Sequence, residues 1–379
     1  MELNSETGRQ QMKLNTELNL PASRLTHKMV FALFVTLSLV MVRPVGAAET
    51  VKMTIVAGHP PVLLWVKHFR DTLIPTANKA LAKTAKYKIQ WTQAYAGTLA
   101  KVGEELETIQ QGLADIGGAW NLFDPAKLPL QNVGYMAPFN EASPATVTEI
   151  VEKLQKDIPA FGAQWAKYNQ VYLGGGIAAD SYHLWSNYPI KKLADLKGHK
   201  FGAPGPAVNW FKGTGAVGVS ANLTLYFNDL KTGVYDGVMV FATSAMPQKL
   251  DQVAPYITLS NIGTGYAGGV TANKDRWKKL PGEVKSAIMT GVAAYKTAFY
   301  KELDKRIIAS FGIMKKRGAK ISKISASDRT KWANMVPNVA KGWAAGLTKK
   351  GLPGRAVLEG YMNELRARGA KPVRNWDKE

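Results

Sequence analysis

The sequence predicts an α/β fold made of two similar α/β domains, followed by a helical C-terminal stretch. Three observations lead there. From Val51, strand-like alternation and helical periodicity take turns through Trp120. The same half-pattern returns from residue 144 to Phe241. One long helical run then covers residues 281–311. A β-α-β order calls for parallel strands covered by helices.

The elements follow in chain order. "VKMTIVAG" (51–58) reads as a strand, residues 62–85 as an amphipathic helix, and "YKIQWTQAY" (87–95) as an alternating strand. In "VGEELETIQQGLA", Val102, Leu106, Ile109 and Leu113 share one helical face, with Gly112 near its end. "ADIGGAW" (114–120) is the third strand. The second series has a helix over 144–168 and a strand over 169–176. Short strands in "SYHLWS" and "KGHKFGA", short helices at 206–214 and 222–231, and a buried strand "GVYDGVMVF" (233–241) complete it. The chain is expected to cross between domains near 174–180 and 257–265. Pro281 suits the start of the long helix and Gly312 its end. Further helices are expected around 325–345 and 354–368.

The chain has 379 residues, which suits two domains. Residues 1–48 read as a signal peptide. Arg24, His27 and Lys28 precede the uncharged run "MVFALFVTLSLVMV", and small residues before Ala48 or Glu49 suit cleavage. That run is shorter than the ~20 residues a membrane-spanning helix needs. A buried helix or an uncleaved anchor is the alternative, and Met12 is an alternative start. The absence of cysteine excludes disulfides, thiolate metal sites and a lipoprotein anchor. Net charge is +21, which raises the question of nucleic acid. Residues 49–265 are nearly balanced, with about 19 basic and about 16 acidic groups; the excess lies in residues 266–379, with about 25 and about 9. No groove-reading motif or interleaved aromatics accompany it, so no nucleic-acid partner is expected and the excess reads as a solvated face.

Motifs of catalysis and cofactor binding are weak or missing. "GTGYAG" (263–268) has dinucleotide-binding spacing, but "GVTAN" reads as a strand where a helix must follow. The histidines His27, His59, His68, His183 and His199 lack metal-ligand spacing. Tyr182 and His183 are adjacent, which by itself signals no acid–base site. No cofactor, no metal and no enzymatic activity are expected.

Three stretches together resemble solute receptors of tripartite ATP-independent periplasmic (TRAP) transporters, DctP type. They are "GTLAKVGEELETIQQGLADIG" (97–117), "SNYPIKKLADLKGHKFGAPG" (186–205) and "LTLYFNDLKTGVYDGVMV" (223–240), with the long helix after "LPGEV". The resemblance implies a periplasmic binding protein-like fold of type II, with two similar α/β domains joined by hinge strands and a long helix spanning both. Applied here, domain I comprises 49–177 and 262–311, domain II 178–261, and residues 312–379 form C-terminal helices packing on both. It also implies a monomeric periplasmic receptor that binds a small organic solute in the interdomain cleft and docks on TRAP membrane subunits. The alternatives are a periplasmic sensor without transport and an exported enzyme on the same scaffold.

The family's carboxylate-gripping arginine follows the "D-L-K-G-x-K" signature, and here that place is Gly202. Tyr182, Val240 and Trp120 likewise stand where polar residues are common in the family. Between Arg70 and Arg276 the chain has no arginine. A cleft cation is therefore expected only from Arg70, the C-terminal third, or a lysine such as Lys101 or Lys212. The expected ligand-binding residues are Trp120, Asn121, His59, Tyr182, Trp185, Gly202, Trp210, Leu223, Tyr226, Val240, Phe241 and Tyr266. Glycine at 202 is expected to leave room for a bulkier, neutral or aromatic solute.

Overall fold

Two mixed sheets organise the protein. The computed structural model describes residues 47–379, so all but the last two positions of the signal segment lie outside the described residues. The first sheet has the order β2-β1-β3-β10-β4. β1 (Glu49–Ala57) lies parallel to β2 (Tyr87–Tyr95) and β3 (Ile116–Ala119). β4 is Gln170–Ala178. The second sheet uses β5 (His183–Ser186), β6 (Lys200–Ala203), β7 (Val217–Ser220), β8 (Gly237–Val240) and β9 (Tyr256–Leu259). β10 (Tyr266–Asn273) returns to the first sheet and runs antiparallel between β3 and β4. β11 (Lys320–Lys323) closes the edge of the second sheet, whose order is β11-β9-β5-β8-β6-β7. Each sheet thus has a parallel trio and one antiparallel strand, β10 or β5, beside it.

The strand pattern explains the placement. Ile55, Val56 and Ala57 of β1 are fully buried, as a strand covered on both faces requires. The first helical region is interrupted: Leu64–His68 passes through a π turn at Phe69–Leu73 into Ile74–Ala82. The helix expected over 144–168 is two, Pro144–Asp157 and Pro159–Lys167. Pro159 lacks an amide hydrogen, so the chain restarts a helix there, as Pro144 starts the first. Ser143 caps that first helix by accepting the Thr146 amide at 3.1 Å.

Other expectations need correction. The helix in 102–114 is shorter, Glu105–Gln110, and Leu113 is exposed because the chain has already turned toward β3. The long helix runs Gly282–Lys316, through Gly312. One exposed glycine costs a helix only ~1 kcal/mol, which packing along 35 residues outweighs. Residues 325–345 divide into Ala326–Met335 and Val339–Lys349, and β11 was not expected. The segment after the last helix, Gly354–Ala367, folds back. Trp376 is fully buried there and donates its indole N–H to the Pro138 carbonyl at 2.8 Å. Among the described residues no helix is long and apolar enough to cross a membrane.

Candidate functional site

An aromatic seam joins the two sheets. Trp65, on the first helix, meets Trp120 edge-on at 6.2 Å between ring centroids and reaches Phe241 at 6.1 Å. Trp120 follows β3 and Phe241 follows β8. Tyr182, between β4 and β5, packs edge-on against Phe241 and Trp210, each at 5.3 Å. Its hydroxyl lies 3.0 Å from that of Tyr135. The seam lines a cavity with about 40 Å³ open to the centre of a water-sized sphere.

Local sequence aims these side chains. Gly118 has no Cβ because the Trp120 indole folds back over it; a Cβ there would sit 2.2 Å from Trp120 Cζ2. His59 follows Gly58, whose amide donates to Glu105 Oε1 at 2.9 Å, and its carbonyl accepts the Ala96 amide at 3.1 Å. Asp180 ties the first crossing to the turn after Phe241, accepting from Thr243 Oγ1 at 2.5 Å and the Thr243 amide at 3.2 Å.

His59, Trp120, Tyr182, Leu223, Tyr226, Val240 and Phe241 line the cavity, so the fold brings these expected residues together. The others lie elsewhere. Trp185 is fully buried and stacks on Phe311. Trp210 stacks on Tyr135 and donates to its carbonyl at 2.8 Å. Asn121 is spent on the Gln131 and Tyr266 carbonyls, and the Tyr266 hydroxyl pairs with Tyr172 at 2.9 Å. Gly202 leaves no free room, contrary to expectation: a Cβ there would lie 2.8 Å from the Tyr235 ring, which fills the space. Sequence reasoning missed Trp65, Tyr135, Phe123, Met239 and several small lining residues. Trp65 carried a signal, a tryptophan at the start of the helix after β1.

Among the described residues that line the cavity, none carries a charged side chain. Arg70 is half exposed and bonded to Asp71 at 2.6 Å. Lys101 and Lys212 are exposed. Arg276 pairs with Asp115 at 2.9 Å, and Arg329 bonds the Asn261 carbonyl at 2.8 Å and Glu141.

Burial sets the protonation of nearby groups. It pushes the His59 imidazole down to about 3, so the ring is neutral. It pushes Glu105 up to about 7 and Asp180 up to about 6. The folded His59 value lies below the ordinary imidazole value of 6.5, so its contribution to stability is complete above that pH and is lost as pH falls toward 3. The two acids act oppositely: their contributions are complete below 4.5 and 3.8 and are lost as pH rises through about 7 and about 6. Wild type should therefore lose more melting temperature than His59→Phe between pH 7.5 and pH 4.5. Equal losses in calorimetry would mean that His59 takes up its proton within the fold.

Two mixed sheets covered by helices, linked by two chain crossings and with a cavity lined from both, have the architecture of the type II periplasmic binding protein fold. The chain belongs to the bacterial extracellular solute-binding protein family 7, DctP, which it matches over residues 76–345. It is 21% identical over 279 residues to a solute-binding protein of Albidiferax ferrireducens, covering 72% of this chain and 80% of that one. Among solved structures it resembles a TRAP periplasmic solute binding protein from Desulfovibrio salexigens, with a TM-score of 0.70, 21% identity and coverage of 84% and 96%. A TRAP periplasmic solute binding protein from Sulfitobacter with bound β-D-galacturonate gives a TM-score of 0.70 and 18% identity, with coverage of 83% and 100%.

Proposed function

We propose that this protein is an exported receptor that captures a small, uncharged organic solute between its sheets and delivers it to TRAP membrane subunits. Family membership supports solute binding, and the structural likeness to TRAP receptors supports delivery. On this reading residues 1–48 are removed on export to the periplasm. Residues 178–261 then close against the rest of the fold around β4–β5 and β9–β10.

The observation that carries the ligand class is the cavity wall. It is aromatic and aliphatic, without a lysine, arginine or acid among its lining residues. A carboxylate placed there loses its hydration and gains no cation, a cost of several kcal/mol. An uncharged solute loses little and gains contact with the rings.

Trp120 is the expected anchor. Trp120→Ala should weaken solute binding by ~2 kcal/mol or more, roughly 30-fold, while unfolding stays cooperative. Calorimetry with the solute that co-purifies from periplasm, identified by native mass spectrometry, measures this. A variant that melts early yet binds at wild-type strength would return Trp120 to the core.

A further inference from the structure

The basic excess of the C-terminal third divides by residue type. Most of its arginines are committed: Arg306 pairs with Glu302 and Arg317 with Asp251, each at 3.3 Å, Arg366 with Asp377 at 2.6 Å and Arg368 with Glu149 at 2.8 Å. Many of its lysines are not. Among the described residues, Lys301, Lys305, Lys315 and Lys316 have no carboxylate within 4.0 Å, and all four are exposed.

These four lysines share one edge of the long helix Gly282–Lys316. At 3.6 residues per turn, Lys301, Lys305, Ile308, Gly312 and Lys315 fall along one line about 21 Å long, with Lys316 at its side. The helix packs by its other face, where Leu303, Ser310 and Met314 are buried. Ile308, at the centre of the line, is 74% exposed, more than any other large apolar side chain among the described residues. Asp304 lies at the margin of the line, and Glu302 is turned away toward Lys67 and Arg306.

A single exposed isoleucine is ordinary by itself. Set among unpaired cations along a straight edge, it has the composition of a helix that lies on a membrane. The lysines meet lipid phosphates, and the apolar side chain meets the acyl boundary. The use of lysine separates a bilayer from a protein partner. A folded partner holds its acids at fixed positions, which the planar fork of arginine reads, whereas lysine is a mobile point charge. A bilayer offers phosphates at no fixed position, and the point charge suits it.

We propose that this edge of the long helix, Lys301 to Lys316, adsorbs to an anionic phospholipid surface, with Ile308 entering the headgroup boundary. A receptor held in this way searches for its membrane partner in two dimensions. The contact is independent of which solute the cavity takes.

The test uses protein purified from periplasm and sedimented with vesicles of phosphatidylcholine alone, or of equal parts phosphatidylcholine and phosphatidylglycerol. Binding to the anionic vesicles should be at least about tenfold tighter and should weaken as salt rises. One lysine beside an anionic surface is worth about fivefold in affinity, so Lys301→Glu with Lys305→Glu should weaken binding by about 25-fold or more. Lys86→Glu with Lys88→Glu makes the same change in net charge at exposed positions at the start of β2, and should weaken it by less than about threefold. The chain has no cysteine, so Ile308→Cys carries a single environment-sensitive dye. Its emission should shift to the blue on anionic vesicles, and that of the same dye at Lys86→Cys should not. Absence of binding to anionic vesicles, equal losses in the two charge-reversed pairs, or no shift at position 308 would each overturn the proposal; the first would leave this edge to an acidic protein surface. Solute calorimetry on the same samples reports the receptor reading separately, which stands or falls without the vesicle result.

Discussion

Gly202→Arg is expected to destabilise the protein by about 4 kcal/mol or more without creating a carboxylate site. Gly202 is buried in β6 between β7 and β8. A Cβ at 202 would approach Tyr235 Cζ to 2.8 Å and both ε carbons to 3.1 Å. That ring cannot swing aside cheaply: Tyr235 is 1% exposed and its hydroxyl donates to Asp229 Oδ2 at 3.0 Å. Overpacking alone costs about 1–3 kcal/mol, and a buried charge without a partner adds about 3–5. Chemical denaturation should show the loss, and titration with succinate should show no gain. The double variant Gly202→Arg with Tyr235→Ala makes room. Succinate binding by that variant would mean that position 202 reaches the cavity and that the missing arginine alone set the ligand class.

Trp376→Ala should cost about 3–5 kcal/mol, the range for removing a fully buried large side chain. The indole is sealed on every side. It donates to Pro138, the Arg374 guanidinium lies 4.4 Å over its ring, and Asn338 donates to its carbonyl at 3.2 Å. The midpoint of thermal unfolding should fall by about 10 °C, and Trp376→Phe should fall between the two. Solute affinity should not change, since Trp376 does not line the cavity. A loss under about 1 kcal/mol would show that the segment beyond Ala370 packs against the surface only.

Strand periodicity was the most legible feature. β2 spans the same residues, Tyr87–Tyr95, that alternate in the sequence. Punctuation was less reliable. Gly312 looks like a helix stop but sits inside a helix whose packing outweighs its local preference. The π turn at Phe69–Leu73 left no compositional mark. For the site, residue type could not separate cavity wall from core. Trp120, Trp185 and Trp210 all follow or occupy strands or short helices, yet only Trp120 lines the cavity. Aromatics serve both places equally well, and the deciding fact is which neighbours arrive from distant sequence. Gly202 shows the same limit from the other side. The lost arginine was legible, but the tyrosine that occupies its space lies 33 residues later in the sequence.

The interleaving of the sheets has a consequence for how the chain is made. Among the described residues β4 pairs only with β10, which is synthesised after nearly all of the second sheet. A chain leaving the ribosome therefore carries β1 to β4 for some 90 residues of further synthesis before the strand that joins β3 to β4 exists. Such long-range pairing is slow to form. The same interleaving means that no single cut in the gene separates the two sheets.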